Sequence, residues 1–307
     1  MKQALPLPPQ PAVAAVPMAV AAPRTHAADF LELTKPRLNF LVVLTAMAGY
    51  YLGSGSTVDF ALLFHTVVGT ALVAGGAAAF NQFYERDTDG LMRRTRTRPL
   101  PDGRLRPAAA LRFAFVLSIV GLVQLALGAN LLAAGVALVT LVSYVAIYTP
   151  LKRRTPLATL MGGVPGALPP VIGWAAATGT LSLEGWLLFA IVFLWQMPHF
   201  LAIAWICRED YARAGLPLLP VVEPDGRSTA AQVVLYGAVL IPVSLMPTLV
   251  GLAGRVYFAA ALVLGAGFLA EAILFARERT TERARRLFFG SITYLPLLWG
   301  FMLGNHL

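Results

Sequence analysis

The stretch Phe60-Ala-Leu-Leu-Phe-His65-Thr-Val-Val-Gly-Thr70-Ala-Leu-Val-Ala-Gly75-Gly-Ala-Ala-Ala-Phe80-Asn-Gln-Phe83 decides the fold. It carries no Asp, Glu, Lys or Arg, its apolar residues run round the whole helix rather than along one stripe, and it exceeds the roughly 20 residues a helix needs to cross a bilayer. Similar runs cover 38–53, 108–127, 130–148, 159–177, 185–206, 231–252, 256–276 and 287–303, so the sequence predicts nine crossings. The bulk composition agrees: 58% of the residues are hydrophobic and 13% charged, where a soluble domain has roughly 25% charged. The expected fold is all-α and polytopic, nine transmembrane helices bundled as one domain over 29–307. Residues 1–28, rich in Pro and Ala, read as a disordered cytoplasmic tail.

A net charge of +9 in a soluble chain would raise the question of nucleic acid. Here the distribution of charge answers it. With the N-terminus on the cytoplasmic side, all of the 24 Lys and Arg residues except Arg255 fall on that side. That is the positive-inside bias of a membrane protein, and it places the C-terminus outside. The single Cys207 excludes an intrachain disulfide framework and a Cys-rich metal site.

The outer loops are short, and two inner loops are long. Each long loop begins with acids just past a helix end: Glu85, Asp87 and Asp89 in one, Glu209 and Asp210 in the other. The pairing hints at a remote duplication. Asn81, Glu85 and Asp89 are spaced by four, so they share one face if the helix continues, with Gly90 a plausible place for it to stop. Oxygen ligands at that spacing suit Mg²⁺, which takes one or two carboxylates and completes its shell with water and phosphate oxygens. Asp210 would complete the metal set from the second loop.

Next comes Arg93-Arg94-Thr95-Arg96-Thr97-Arg98-Pro99. Arginine matches phosphate oxygens with a bidentate fork, and metal-holding acids beside arginines describe a diphosphate site. Arg94 and Arg98, with Lys152, Arg153 and Arg208 on the same membrane face, are the candidate diphosphate contacts.

Within the crossings few groups ionise, chiefly His65, His199 and Glu271. His65 is about 24 Å of helix from Asn81, in the opposite leaflet. Glu271 is close enough to Arg277 to snorkel to the interface. His199 follows Pro198 and stands beside Trp195, Phe200 and Trp205; it reads either as a packing histidine or as a contact for an aromatic, metal-bearing substrate. The segment Gly162-Gly163-Val164-Pro165-Gly166-Ala167-Leu168-Pro169-Pro170 reads either as close helix packing or as a bend lining a cavity.

Taken together, Thr34-Lys35-Pro36-Arg37, the Asn81 to Pro101 stretch, Tyr148-Thr149-Pro150-Leu151-Lys152-Arg153-Arg154-Thr155, Gly163-Val164-Pro165-Gly166-Ala167 and Trp195-Gln196-Met197-Pro198-His199-Phe200 resemble the UbiA-like intramembrane prenyltransferases. The Arg-Thr-x-x-Arg-Pro ending and the Trp-Gln-Met-Pro-His-Phe segment are similar to the protohaem IX farnesyltransferase (haem O synthase) branch. The resemblance implies a central cavity open to the cytoplasmic leaflet of a bacterial inner membrane. Its substrates would be farnesyl diphosphate and haem b, its cofactor Mg²⁺, and its products haem o and diphosphate. A downstream haem-modifying enzyme is an implied partner. Two departures stand out: Glu85 where the family usually has Asp, and Ala158 where an asparagine is expected.

The expected arrangement is Asn81, Glu85 and Asp89, with Glu209 and Asp210 opposite, holding the metal on the diphosphate. Arg94, Arg98 and Lys152 would offset its charge, with His199 at the haem iron. The rival readings are a quinone-type aromatic acceptor in the same superfamily, and a transporter of haem or a polyanion. Charge at one membrane face rather than at the midplane argues against transport.

Overall fold

The computed structural model describes residues 25–55 and 57–306, which are helical with no strand. Thr25 caps α1 (His26–Leu33), its hydroxyl accepting from Ala28 N at 3.3 Å. The first described helix thus opens at His26, within the segment 1–28 read as a tail, and residues 1–24 lie outside the described residues. Next comes α2 (Pro36–Gly53), the first expected crossing, with Pro36 at the position where a missing N–H costs nothing.

Among the described residues eight helical runs are long and apolar enough to cross a membrane, and α2, whose first turn carries Pro36, Arg37 and Asn39, is not one of them. They are α3 (Phe60–Leu91), α4 (Pro107–Gly128), Leu131–Leu151, Ala158–Thr178, α9 (Leu183–Ile206), α12 (Arg227–Leu249), α13 (Arg255–Glu278) and α14 (Thr281–Gly304). The chain is an integral membrane protein. Between α9 and α12 lie two short helices, α10 (Arg208–Arg213) and α11 (Leu219–Val222).

Three elements differ from the expected crossings. First, α3 runs to Leu91, one residue past Gly90, so its 32 residues carry the acid-bearing segment beyond the apolar run. Second, Leu131–Leu151 comprises α5 (Leu131–Val142), a π-helical turn (Ser143–Tyr148) and α6 (Thr149–Leu151). Pro150 has no N–H to offer the preceding turn, and Thr149 reaches back five residues instead, its amide and its hydroxyl both donating to Tyr144 O. Third, Ala158–Thr178 divides into α7 (Ala158–Ala167) and α8 (Pro169–Thr178), because Pro169 and Pro170 cannot donate across the junction.

The Gly/Pro segment both bends the chain and packs closely. The chain breaks at Leu168, and the Gly163 carbonyl accepts from Gln196 Nε2 at 2.6 Å in a buried contact. Small residues also set the spacing of helices. Gly173 lies against the Ala46 carbonyl and Gly49 against the Pro170 carbonyl, so α2 and α8 meet backbone to backbone. Gly69 and Gly121 do the same between α3 and α4. Where lipid removes the hydrophobic drive between helices, such close approach supplies the dispersion contact that holds them.

The two largest core clusters lie between these helices. One gathers Leu188, Ile191, Leu201, Tyr257, Phe275, Leu287 and Leu298 from α9, α13 and α14. The other gathers Tyr50, Val73, Leu125, Val171 and Ile172 from α2, α3, α4 and α8.

Candidate active site

The continuation of α3 puts Asn81, Glu85 and Asp89 on one buried face, at 2%, 6% and 1% exposure, while Asp87 turns outward and approaches Arg86 at 3.6 Å. Acids can be buried only if charge or hydrogen bonds meet them, and each rung of this ladder takes its cation from a different element. Lys35, ahead of α2, donates to Asn81 Oδ1 at 2.7 Å. Lys152, after α6, donates to both oxygens of Glu85 at 3.1 and 3.2 Å. Arg98, from the arginine run, donates to Asp89 Oδ2 at 2.6 Å.

Lys35 is the N-cap of α2 in the left-handed conformation, φ 49°, which aims its side chain inward toward α3. Burial, reinforced by the neighbouring positive charge of Arg98, pushes its ammonium down to about 7. For Lys152, burial works against the charge, but the Glu85 carboxylate outweighs it and the ammonium is held well above its ordinary value.

The π-helical turn delivers further groups to the ladder. Asn81 Nδ2 reaches Thr149 Oγ1 at 3.4 Å, and Tyr144 stacks on Tyr148 with ring centroids 5.4 Å apart. The arginine run is itself pinned: Thr95 Oγ1 donates to Asp89 O at 2.8 Å, and Arg104 Nε donates to Asp29 Oδ1 at 2.8 Å. Met92 is buried with Tyr211, Ala214, Leu216 and Leu218, so the two long inner loops pack on each other.

Other expected site residues lie elsewhere. Arg94 Nη2 lies 3.5 Å from Tyr211 OH, bridging the loops instead of meeting an acid. Arg153 donates to Tyr84 O at 3.0 Å from an exposed position. Arg208 lies over the Trp205 ring at 4.8 Å and donates to Trp205 O. Glu209 is exposed, and Asp210 pairs with Arg213 at 2.8 Å.

The four-residue metal set of the sequence reading is thus not gathered: among the described residues no three of His, Cys, Asp and Glu converge on one point. The reason is electrostatic, since Glu85, Asp89 and Asp210 each already have a basic partner in reach. Hard oxygen donors are nonetheless present, and Asp89 Oδ1 is buried with no hydrogen-bond partner. That donor set fits Mg²⁺ bound through one or two carboxylates and completed by phosphate oxygens, not an all-protein cage.

Deeper in the membrane, His199 Nδ1 lies 2.7 Å from Ser291 Oγ and Trp195 Nε1 donates to Ser291 O at 2.8 Å. His65 is engaged by Gln124 at 2.6 Å between α3 and α4. Glu271 forms no ion pair among the described residues, and its Oε2 is buried without a hydrogen-bond partner there.

The sequence alone did not single out Lys35 as Asn81's partner, nor Thr149, Tyr144 or Tyr211 as neighbours of the ladder. For Tyr148 and Lys152 the four-residue spacing was a usable signal. For Lys35 the one signal was its place in the Thr34-Lys35-Pro36-Arg37 segment, and its partner, like that of Tyr211, was set by tertiary packing.

The acid ladder and the cations that meet it lie at one end of an all-helical membrane bundle. Residues 42–295 match the UbiA prenyltransferase family, and the chain belongs to it. Within that family it belongs with the protoheme IX farnesyltransferases. It is 53% identical to the Solibacter usitatus protein of that name over 90% of this chain and 97% of the relative. It is 50% identical to the Myxococcus xanthus protein over 90% and 93%.

Solved structures share the fold. A digeranylgeranylglyceryl phosphate synthase superposes with a TM-score of 0.78 at 17% identity, covering 91% of this chain and 98% of that one. A UbiA homologue from Archaeoglobus fulgidus bound to GPP and Mg²⁺ does so at 0.62 and 15%, covering 89% and 99%.

Proposed function

We propose that this protein transfers the farnesyl group of farnesyl diphosphate to a vinyl group of haem b, with addition of water, giving haem o and diphosphate. The observation that carries this reading is the Asn81–Glu85–Asp89 ladder with Lys35, Lys152 and Arg98 set against it, in a chain 53% identical to a protoheme IX farnesyltransferase. Neither a quinone-type acceptor nor transport finds support in such relatives.

The allylic C–O bond breaks with its electron pair leaving on the diphosphate. The vinyl terminus of haem bonds the allylic carbon, water bonds the adjacent vinyl carbon, and that water gives up a proton. Negative charge therefore grows on the leaving group, and donors fixed before the reaction stabilise it most in a poorly hydrated site. Lys35, Lys152 and Arg98 are such donors, held in place by Asn81, Glu85 and Asp89. When a diphosphate enters, Lys152 and Arg98 would shift from carboxylate to phosphate and Lys35 from the Asn81 amide oxygen, and the freed carboxylates with Asp89 Oδ1 are the groups that would hold Mg²⁺. The metal supplies Lewis-acid neutralisation of the diphosphate. Asp210 would join once Arg213 releases it, and Glu209 from the second loop and Arg94 from the first line the approach.

Haem lies deeper, against Trp195 and His199, with His199 contacting its iron. The basic face is cytoplasmic, the membrane is the bacterial inner membrane, and a downstream haem-modifying enzyme would meet the protein there. The test is direct: incubate purified protein with haem b, farnesyl diphosphate and Mg²⁺, then weigh the haem by mass spectrometry. Haem gaining farnesyl plus water is the expected product; unmodified haem overturns the reading.

A further inference from the structure

Trp195 and His199 stand one turn apart on α9 and close on a single residue of α14. Trp195 uses the Ser291 carbonyl and His199 the Ser291 hydroxyl. The His199 ring is stacked on Trp195, at 5.1 Å and 24°, and on Phe288, at 5.0 Å and 28°. Two stacked neighbours fix the plane of the imidazole, and the Nδ1 contact fixes its rotation within that plane. Ser291 itself is fully buried, so its hydroxyl has no water to turn to.

The remaining question is which nitrogen carries the proton. Ser291 Oγ lies 2.5 Å from the Phe288 carbonyl oxygen, a group that can only accept. Two oxygens at that distance repel unless a proton lies between them, so the one hydroxyl proton of Ser291 is committed there. The oxygen then offers His199 lone pairs alone, and the uncharged ring must hold its proton on Nδ1 and its lone pair on Nε2. Nε2 takes no hydrogen bond from any described residue.

We propose that Ser291 is a positioning residue for the haem substrate: its hydroxyl locks His199 as the Nδ1–H tautomer, so that Nε2 is presented to the iron. Metal-binding histidines commonly donate their second N–H to a fixed acceptor, which raises the basicity of the ligating nitrogen. Here a serine oxygen on the neighbouring helix takes that part. The proposal deepens the reading of His199 as the iron contact and rests on it.

Resonance Raman spectra of ferrous haem b bound to the purified protein test it, together with haem titration. The wild-type protein should show an iron–histidine stretching band. Ser291→Ala should shift that band to lower frequency and weaken haem binding about tenfold, the usual order for loss of such a second partner. Ser291→Thr should restore both. The alanine variant keeps the Trp195 bond, which uses the main-chain carbonyl. A wild-type band and affinity in Ser291→Ala, with the band lost in His199→Ala, would overturn the role of Ser291 and leave His199 as the ligand. A band that survives His199→Ala overturns the ligand reading itself.

A second measurement leaves Ser291 untouched. In His199→Gly, added imidazole should restore the band and haem binding better than 1-methylimidazole, which has no N–H for Ser291 to accept. Equal rescue by the two would overturn the proposal.

Discussion

Arg98 grips one oxygen of Asp89 at 2.6 Å and leaves the other buried with no partner. A carboxylate held on one side and open on the other has a fixed direction and a free lone pair. Asp89→Asn retains the shape and a donor–acceptor pair but removes the charge. Its activity should fall by about 10²- to 10³-fold, the scale for losing one preorganised electrostatic group, and its dependence on Mg²⁺ should weaken with it. Steady-state rates across a Mg²⁺ titration give the answer; a variant with full activity and the wild-type Mg²⁺ curve would remove Asp89 from the metal site.

Lys152 and Glu85 form a pair in which both side chains are nearly closed to solvent, at 13% and 8% exposure. Removing one partner leaves the other charge uncompensated, which costs about 3–5 kcal/mol in buried pairs. Lys152→Met should therefore lower the Tm in detergent sharply, and adding Glu85→Gln should recover much of the loss while activity stays absent. Additive losses in the double variant would show that the two groups do not act as a pair.

Lys35 makes stability depend on pH. Its folded value is about 7 against an ordinary 10.5, so the folded state holds its proton less tightly than the unfolded chain does. The cost of the buried charge is complete below pH 7 and fades as pH rises toward 10.5. Lys35→Met removes that cost, so the Tm of the variant should exceed wild type most at pH 7 and below, with the gap closing as pH approaches 10. A constant gap across that range would contradict the environment assigned to Lys35.

Gly173 and Gly267 separate packing from composition. A methyl group at Gly173 would overlap the Ala46 carbonyl, whereas at Gly267 nothing lies within 4 Å. Gly173→Ala should destabilise by about 1–3 kcal/mol as α8 is pushed off α2, and Gly267→Ala should leave the Tm at wild type or slightly above it. Equal melting temperatures in the two variants would mean that α2 and α8 are not held at backbone contact.

The ladder at Asn81, Glu85 and Asp89 was legible as soon as α3 was known to continue, because a period of four is a property of the helix itself. What the spacing could not say is which cations answer it. Arg98 lies nine residues from Asp89, within the same loop, but Lys152 and Lys35 come from 67 and 46 residues away. Asp210 is a second case: its place beside Glu209 in sequence suggested a ligand, and the fold sets Arg213, three residues on, against its carboxylate at 2.8 Å.

The sequence by itself determined the all-helical membrane fold and the one helical face shared by Asn81, Glu85 and Asp89, since apolar run length and helical period act locally along the chain. Only the tertiary structure decided that Lys35, Lys152 and Arg98 each meet a different rung, that Arg94 reaches Tyr211 instead, and that Ser291 takes the Nδ1 side of His199. Those choices depend on which helices approach closely enough for charges and hydrogen bonds to find one another. Glycines and prolines far from the site, such as Gly49, Gly173 and Pro169, set that approach.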